Sequence, residues 1–486
     1  MPLGGPRWPV VNRGMTKRSS RRWWLGTVAR GAGAVALTPW PGPAAIVETP
    51  APGRQLATAV IGCGGRGEAS LAAALGERLV ALVDVDAGRL AAAAAKAAAQ
   101  GAKPRTFFDY RTMFDEMHRE IDAVFVATPD HHHAPSAMRA LLHGKHVFCE
   151  KPLCHDISQA RALARAASAR EVTTMMGNQG HCEEGYRRLR EYLDAGAMGD
   201  VIETHSWSGF VNGGAGGRPA SKTPPPGLHW DEWLGPAPRR DYHDGLHPLY
   251  WRYYWDFGTG GLGDWGCHNL DGVFWALEAG HPATIECLGT VGGSGEKYPQ
   301  SSVIRWSVPA RGGRPAFQAY WYDGAKPAGG TDPGARRGAI TLPNYPPRLA
   351  EVQERGDWDF HEGFDGGTLY LGTKGVMHTG CYGRRPRLWP DAAHRAFPAP
   401  PTRLPRVQGS HFDHFLACCK AGEPTCADFG YAAGITEFLL LGHLAIKAGP
   451  GERLEWDPVN RRCRNRPDLD RWVARECRPG WELPAG

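Results

Sequence analysis

The chain has 486 residues, 42% hydrophobic and 22% charged, enough apolar side chain for a large core, with two domains after a leader as the natural division. The net charge of +6 is local: residues 1–54 hold eight Arg or Lys (Arg7, Arg13, Lys17, Arg18, Arg21, Arg22, Arg30, Arg54) against Glu48, a balance of +7, so the remainder is about neutral. That excludes a nucleic-acid footprint, and the 12 cysteines, with no CxxC and no Cys/His cluster at zinc spacing, read as small buried apolar residues, whose disulfides, if any, the sequence cannot pair.

The leader comes first. Arg21-Arg22 follow two serines and precede Trp23-Trp24-Leu25; an Ala/Gly-rich, weakly apolar stretch and a Pro-rich end follow. This is the layout of an export signal with a twin-arginine address, with Trp24 where the S-R-R-x-F-L pattern has Phe. Arg30 interrupts the apolar run, which is too short to cross a bilayer, and no run of about 18 apolar residues occurs elsewhere. The expectation is a signal and linker over 1–50, with Met15 as an alternative start, and a periplasmic or extracellular protein exported already folded. A cofactor would then be loaded before export.

Residues 56–61 (LATAVI) read as a short buried strand. Gly62-Cys63-Gly64-Gly65-Arg66-Gly67 follows directly, then a helical Ala/Leu stretch, then a second apolar run, Leu79–Val83, ending in Asp84. A lone GxGxxG is weak; between strand and helix, with an acid 20 residues beyond Gly64, it points to a dinucleotide site. Gly62 permits the tight turn, Gly64 lets backbone approach a pyrophosphate, and Gly67 lets helix pack on strand; Gly65 completes the loop. Arg66 is placed to contact phosphate. Asp84 would accept hydrogen bonds from the adenosine ribose diol. With Asp86 it would repel a 2′-phosphate, which favours NAD over NADP.

Further strand–helix units follow. Ile121–Ala127 ends in Thr128-Pro129-Asp130-His131-His132-His133, with a helix around Ala134–His143; His146–Cys149 ends in Glu150-Lys151-Pro152. Ligands of open α/β sheets bind at the carboxyl ends of strands, where Thr128, the His run and Lys151 lie. Three consecutive histidines cannot converge on one ion, so they read as a polar turn at the cofactor edge, and no metal is expected.

At Glu150-Lys151-Pro152 the chain resembles the Gfo/Idh/MocA (glucose–fructose oxidoreductase/inositol dehydrogenase) family. The resemblance runs from about residue 56 to 450. It rests on the GCGGRG loop, Asp84, the ATPDHHH turn, the HVFCEKPL segment, GNQGHCEEGYRRLREYLDAGAMGDV at 177–201, and WRYYWDFGTGGLGDWGCHNLD at 251–271. It implies an α/β fold: an N-terminal Rossmann parallel-sheet domain (54–176), then an α+β substrate domain with an open, mostly antiparallel sheet (177–450), which often carries oligomer contacts, and a tail (451–486). It also implies that Lys151 lies near the nicotinamide and substrate, that Asp264 and His268 form the family's D-x-x-x-H pair, and that His133 is the histidine after the T-P-N/D turn. Thr128, His133 and Glu150 join the glycine loop and Asp84 as the expected cofactor-binding set. The long leader and aromatic-rich middle look like a secreted branch.

The chemistry so implied is oxidation of a secondary alcohol, in which hydride goes to a nicotinamide and a base takes the hydroxyl proton. His268 is suited to be that base, and Asp264, one helical turn earlier, to orient its imidazole. Lys151 is suited to stabilise a developing alkoxide or to relay the proton. Which of Lys151 and His268 takes the proton stays open. The loop Gly258–Gly263 should position Asp264 only after packing. The aromatics of 229–275 suggest a sugar cleft, although most such rings belong in a core. Downstream, 282–347 reads as strands and hairpins, Thr368–Gly380 as a hairpin around Thr373-Lys374-Gly375, and His411–Ala417 and Tyr431–Ala448 as helices, the second packing across both domains.

Three functions compete: an NAD-dependent oxidoreductase acting on a sugar or polyol hydroxyl with tightly held cofactor, a glycosidase that uses bound NAD transiently (resembling glycoside hydrolase family 109), and a non-catalytic sugar-binding protein.

Overall fold

The computed structural model describes residues 53–324 and 366–483, all within one unit running from Ala44 to Gly486. The leader and part of the expected 282–347 hairpin region lie outside the described residues.

Strands β1 (Ala57–Ile61), β4 (Ala123–Val126) and β5 (His146–Cys149) are buried at every position, as expected of a parallel sheet covered on both faces. With β2 (Arg78–Val83), β3 (Arg105–Phe107) and β6 (Thr174–Met176) they form an all-parallel sheet in the order β3-β2-β1-β4-β5-β6. Helices α1 (Gly67–Leu75), α2 (Ala87–Ala99), α3 (Tyr110–Met117), α4 (Asp130–Leu142) and α5 (Ile157–Arg170) connect the strands. The strand order reverses between β1 and β4, which opens a crevice at their carboxyl ends.

Two short helices, α6 (Gln179–Cys182) and α7 (Glu184–Asp194), lead into a second sheet. Its strands are β7 (Val201–Ser208), β8 (Thr284–Val291), β9 (Ser301–Val308), β10 (Phe317–Asp323), β11 (Gly367–Gly372), β12 (Val376–Gly380), β13 (Arg387–Trp389), β14 (Arg453–Asp457) and β15 (Arg462–Cys463). Among the described residues their order is β13-β12-β11-β7-β10-β9-β8-β14-β15, and only β7 and β10 pair in parallel. The hairpin expected over Thr368–Gly380 is β11–β12. Residues after 450, expected as a separate tail, instead add β14 and β15 to this sheet, because Arg453–Glu455 pair with β8.

Between β7 and β8 lie α8 (Trp230–Leu234), α9 (Gly260–Asn269) and α10 (Asp271–Ala276). After β13 come α11 (Asp391–Ala396), α12 (His411–Ala421) and α13 (Phe429–Ala448). Helix α12 returns to the Rossmann layer, where Phe412 and Phe415 pack on Phe125 and Phe148 with ring centroids 4.8–6.2 Å apart. Each ring so buried contributes about 2 kcal/mol. Helix α13 is long and apolar enough to span a membrane by length and mean hydropathy, although Glu437, His443 and Lys447 interrupt its apolar run. It is nevertheless a core helix, packed on α5 and β6 of one domain and on β8 and β9 of the other. It thereby fixes the two sheets relative to one another.

Candidate functional site

The glycine loop has the geometry its spacing implies. Gly62 has φ +87°, and a Cβ there would lie 2.6 Å from the Ala127 carbonyl oxygen. A Cβ on Gly67 would collide with the Gly62 carbonyl, so α1 could not sit this close to β1 with any other residue. Gly64 is covered by the Arg89 side chain, a flexible group that must swing aside for a pyrophosphate to reach the backbone. Asp84, at the end of β2, accepts from the backbone N–H of Cys63 (2.8 Å, Oδ2) and of Asp86 (2.9 Å, Oδ1). Burial pushes its pKa up despite those bonds. Each oxygen keeps a lone pair for a ribose hydroxyl.

At the end of β5, Glu150 is buried and receives Arg66 Nε at 2.8 Å. Arg66 also donates to Gln179 Oε1 (3.1 Å), and its Nη2 lies 3.0 Å from His411 Nε2. Its guanidinium, expected at phosphate, is thus held by protein acceptors. His133 is held between two carbonyls, with Nδ1 2.7 Å from Pro152 O and Nε2 2.8 Å from Thr128 O. It fastens the backbone beside Lys151 to the end of β4. The Thr128 hydroxyl is buried, lines the cleft and has no protein partner.

His131–His133, expected in a turn, form the first turn of α4 and are buried. His131 meets Phe257 O and Trp233 O, and His132 meets Trp233 O, tying α4 to the connection between β7 and α9. Burial lowers the pKa of all three.

Lys151 crosses to the second domain. Its Nζ donates to the Asp264 carbonyl at 2.7 Å and to the Asp264 carboxylate. Asp264 Oδ2 accepts from Asn212 Nδ2 (2.6 Å) and lies 3.8 Å from Arg252 Nε. Burial opposes both charges, but each group's neighbours win: Asp264 holds the Lys151 pKa above its ordinary value, and Lys151 and Arg252 hold Asp264 well below the usual carboxylate range. Beside them Asp130 is buried and accepts from Thr259 Oγ1 at 2.6 Å; burial raises it to about 7.

Asp264 and His268 share α9, one turn apart. The expected loop Gly258–Gly263 is largely the first turn of that helix: a Cβ on Gly260 would meet the Tyr298 ring at 2.7 Å, so the glycines serve close packing rather than late adjustment. Asp264 does not orient His268, because its carboxylate is taken by Lys151 and Asn212. Asn178 takes that part: its Nδ2 donates to Cys267 O (2.9 Å) and Asp271 Oδ2 (3.0 Å), so its Oδ1 must face His268 Nδ1, 2.9 Å away. Both partners of the amide nitrogen are acceptors only, so the His268 proton is on Nδ1 and Nε2 carries the lone pair. Asp271 also binds His181 Nδ1 (2.9 Å) and the Tyr431 hydroxyl. Burial, then the Lys151 charge, holds the His268 pKa well below its ordinary value. The His268 ring meets Tyr382 edge to face, with centroids 4.6 Å apart.

Lys151, Gly62, Gly64, Gly65, Arg66, Asp84, Thr128, His133 and Glu150 line one cleft of about 410 Å³; Asp264 and His268 do not line it, and Asp264 is joined to it through Lys151. The cleft is roofed by His247, Pro248, Leu249, Trp251 and Arg252 from the β7–α9 connection and by Trp481. His247 Nε2 bonds Asp86 Oδ2 at 2.8 Å, and Asp86 caps α2 through the N–H groups of Gly88 and Arg89. His229 N–H donates to Val85 O, and its ring stacks on Phe108 with centroids 3.8 Å apart. Trp481 is held under the Arg111 guanidinium, 3.6 Å from its ring. Most of the aromatics of 229–275 are buried, as expected; Trp233, Trp251, Tyr254 and Phe257 belong to one buried cluster, of which Trp233 and Trp251 also line the cleft. A dinucleotide fits these walls: a cradle a side chain would fill at Gly64, a carboxylate at the ribose position, and an unpartnered Thr128 hydroxyl.

Sequence reasoning assigned no role to Asn178, Asn212, Arg252 or the roof. Asn178 sat in view within the GNQ segment; the other residues carry no local signal, since only folding brings them to Lys151 and Asp86.

Both domains have counterparts. Residues 56–178 match the profile of an oxidoreductase family with an NAD-binding Rossmann fold, and residues 202–289 match that family's C-terminal α/β domain. Both matched stretches are similar to the Gfo/Idh/MocA oxidoreductase family. The chain is 27% identical over 224 residues to levoglucosan dehydrogenase of Pseudarthrobacter phenanthrenivorans, covering 42% of this chain and 50% of that one. It is 34% identical over 169 residues to inositol 2-dehydrogenase 2 of Saccharopolyspora erythraea, covering 33% and 46%. The matched stretches span half or less of the length of these curated relatives. In three dimensions it resembles the WlbA dehydrogenase from Bordetella pertussis, solved with NADH and UDP-GlcNAcA: TM-score 0.54, 16% identity, 83% of this chain and 99% of that one. At that identity the likeness establishes the fold.

Proposed function

We propose that this chain is an NAD-dependent oxidoreductase acting on a sugar or polyol hydroxyl. One observation carries the reading: Lys151, at the edge of a dinucleotide-shaped cleft, is clamped to Asp264, one helical turn from an imidazole whose Nε2 is free to accept a proton. Bound NAD would supply the hydride-accepting nicotinamide. Gly62–Gly67 and Thr128 would seat the dinucleotide, Asp84 its ribose. Lys151 has three N–H donors, two committed to Asp264, which leaves one for the reacting oxygen. Because Asp264 keeps Lys151 protonated, His268 rather than Lys151 is the base in this reading.

The roofed cleft favours a cofactor retained between turnovers, and with it a second reading, a glycosidase that oxidises and re-reduces its substrate on one bound NAD. The twin arginines at 21–22 support export, which would make a retained cofactor useful where free NAD is scarce. Homo-oligomer contact through the second sheet rests on the family resemblance alone.

Mass spectrometry of the denatured protein for released NAD, followed by a sugar, polyol and glycoside screen, tests the proposal. NADH accumulating with an oxidised sugar supports the dehydrogenase; aglycone release without NADH supports the glycosidase. Unchanged turnover in His268→Ala would remove His268 from the mechanism.

A further inference from the structure

None of the 12 cysteines is in a disulfide among the described residues, and two of them meet across the fold. Cys182, buried at the end of α6, has its Sγ 3.4 Å from Sγ of Cys426, in the loop between α12 and α13. Cys426 is only half-buried, so a solvent molecule can reach it. Its N–H donates to His414 Nε2 (3.0 Å), and the His181 carbonyl is 4.0 Å from its sulfur. Cys418 is nearby but turned elsewhere, donating to the Pro424 carbonyl at 3.6 Å.

We propose that Cys182 and Cys426 are a redox-modification site, closing to an intramolecular disulfide by exchange with a low-molecular-weight or protein disulfide. An S–S bond of about 2.05 Å asks the sulfurs to approach by about 1.4 Å from where they stand. The Cys426 thiolate attacks one sulfur of the incoming disulfide and expels one thiolate, which leaves a mixed disulfide on Cys426. Cys182 then loses its proton, attacks Cys426 Sγ and expels the second thiolate. Two protein thiols are oxidised, the incoming disulfide is reduced to two thiols, and those thiols carry away both protons. The order follows from the surroundings. A thiol hydrogen bond from Cys182, against the opposing effect of burial, together with His414 and His181, draws the Cys426 pKa down; that same bond and burial push Cys182 up. Cys426 is therefore the nucleophile and Cys182 the resolving thiol.

The link would tether α6 to the α12–α13 loop. Helix α6 carries Gln179, which holds Arg66, and His181, which holds Asp271, and it directly follows Asn178, the partner of His268. The tether would thus brace the elements behind the cleft.

The test equilibrates the full chain with oxidised glutathione or with dithiothreitol, alkylates it, and reads intact mass, a non-reducing peptide map and Tm. The expected oxidised form is about 2 Da lighter before alkylation, with one cross-linked peptide joining Cys182 to Cys426 and Tm raised on the order of 5 °C. C426S should lose both the link and the Tm shift, and C477S should keep both. Separately alkylated Cys182 and Cys426, a persistent glutathione adduct on Cys426, or a link to Cys418 overturns the proposal. If C426S fails to fold, the wild-type peptide map decides alone.

Discussion

Lys151 in the Rossmann domain donates to both the main-chain carbonyl and the carboxylate of Asp264 in the second domain, so one ammonium is the shared floor of the cleft and the brace of α9. Removing one partner leaves the other as an uncompensated buried charge. Asp264→Ala should cost about 3 kcal/mol of stability in denaturant titration and lower kcat by about 100-fold or more. Lys151→Met should lower kcat at least as far. Near-wild-type kcat in both variants would detach this pair from the chemistry.

Asn178 touches His268 Nδ1 but does not line the cleft. Asn178→Ala should therefore reduce kcat by about 10- to 100-fold, through loss of the tautomer and ring orientation, while the Kd for NAD stays within about twofold. Parallel losses in kcat and NAD binding would mean a general collapse of the region instead.

Burial, then the Lys151 charge, holds the His268 pKa well below its ordinary value. The acid limb of kcat/KM assigned to His268 should therefore lie well below the ordinary histidine value, as histidine-resolved NMR titration can check. Removing the cation in Lys151→Met should move the His268 pKa upward.

Asp130 has its pKa raised to about 7 by burial, above its unfolded value. Such a group contributes stability that is full below the unfolded carboxylate pKa and is lost as pH rises through 7, because the native state holds the proton longer. Asp130→Asn, which cannot ionise, should gain on wild type by on the order of 2–4 kcal/mol between about pH 4 and pH 8. Urea unfolding across that window checks it; parallel stability curves would show that Asp130 does not titrate there.

The His247–Asp86 bond closes the roof over the adenosine side. His247→Ala should speed loss of bound NAD roughly tenfold, in line with one part-buried hydrogen bond, as measured by cofactor retained through gel filtration. The rate of the chemical step should change little.

The local units were legible because their signals are local. The strand–glycine loop–helix at 57–75, the acid after β2 and strands β4 and β5 depend on hydrophobic runs and a backbone turn within a few residues of each other. The partners of Arg66 and of the His131–His133 run were not legible because they lie far along the chain: Glu150 for Arg66, and Trp233 and Phe257 for the histidines, which form the first turn of α4 instead of a turn before it.

The amino-acid sequence by itself determined that a Rossmann unit exists and where its glycine turn lies, whereas the grouping of Lys151, Asp264 and His268 came only with the family resemblance. Tertiary structure alone decided who holds whom: Lys151 on Asp264, Asn178 on His268, His247 on Asp86. Hydrophobic periodicity is written in neighbouring residues, whereas a hydrogen bond between side chains far apart in the chain exists only once α13 has brought the two sheets together and burial has removed water as the competing partner.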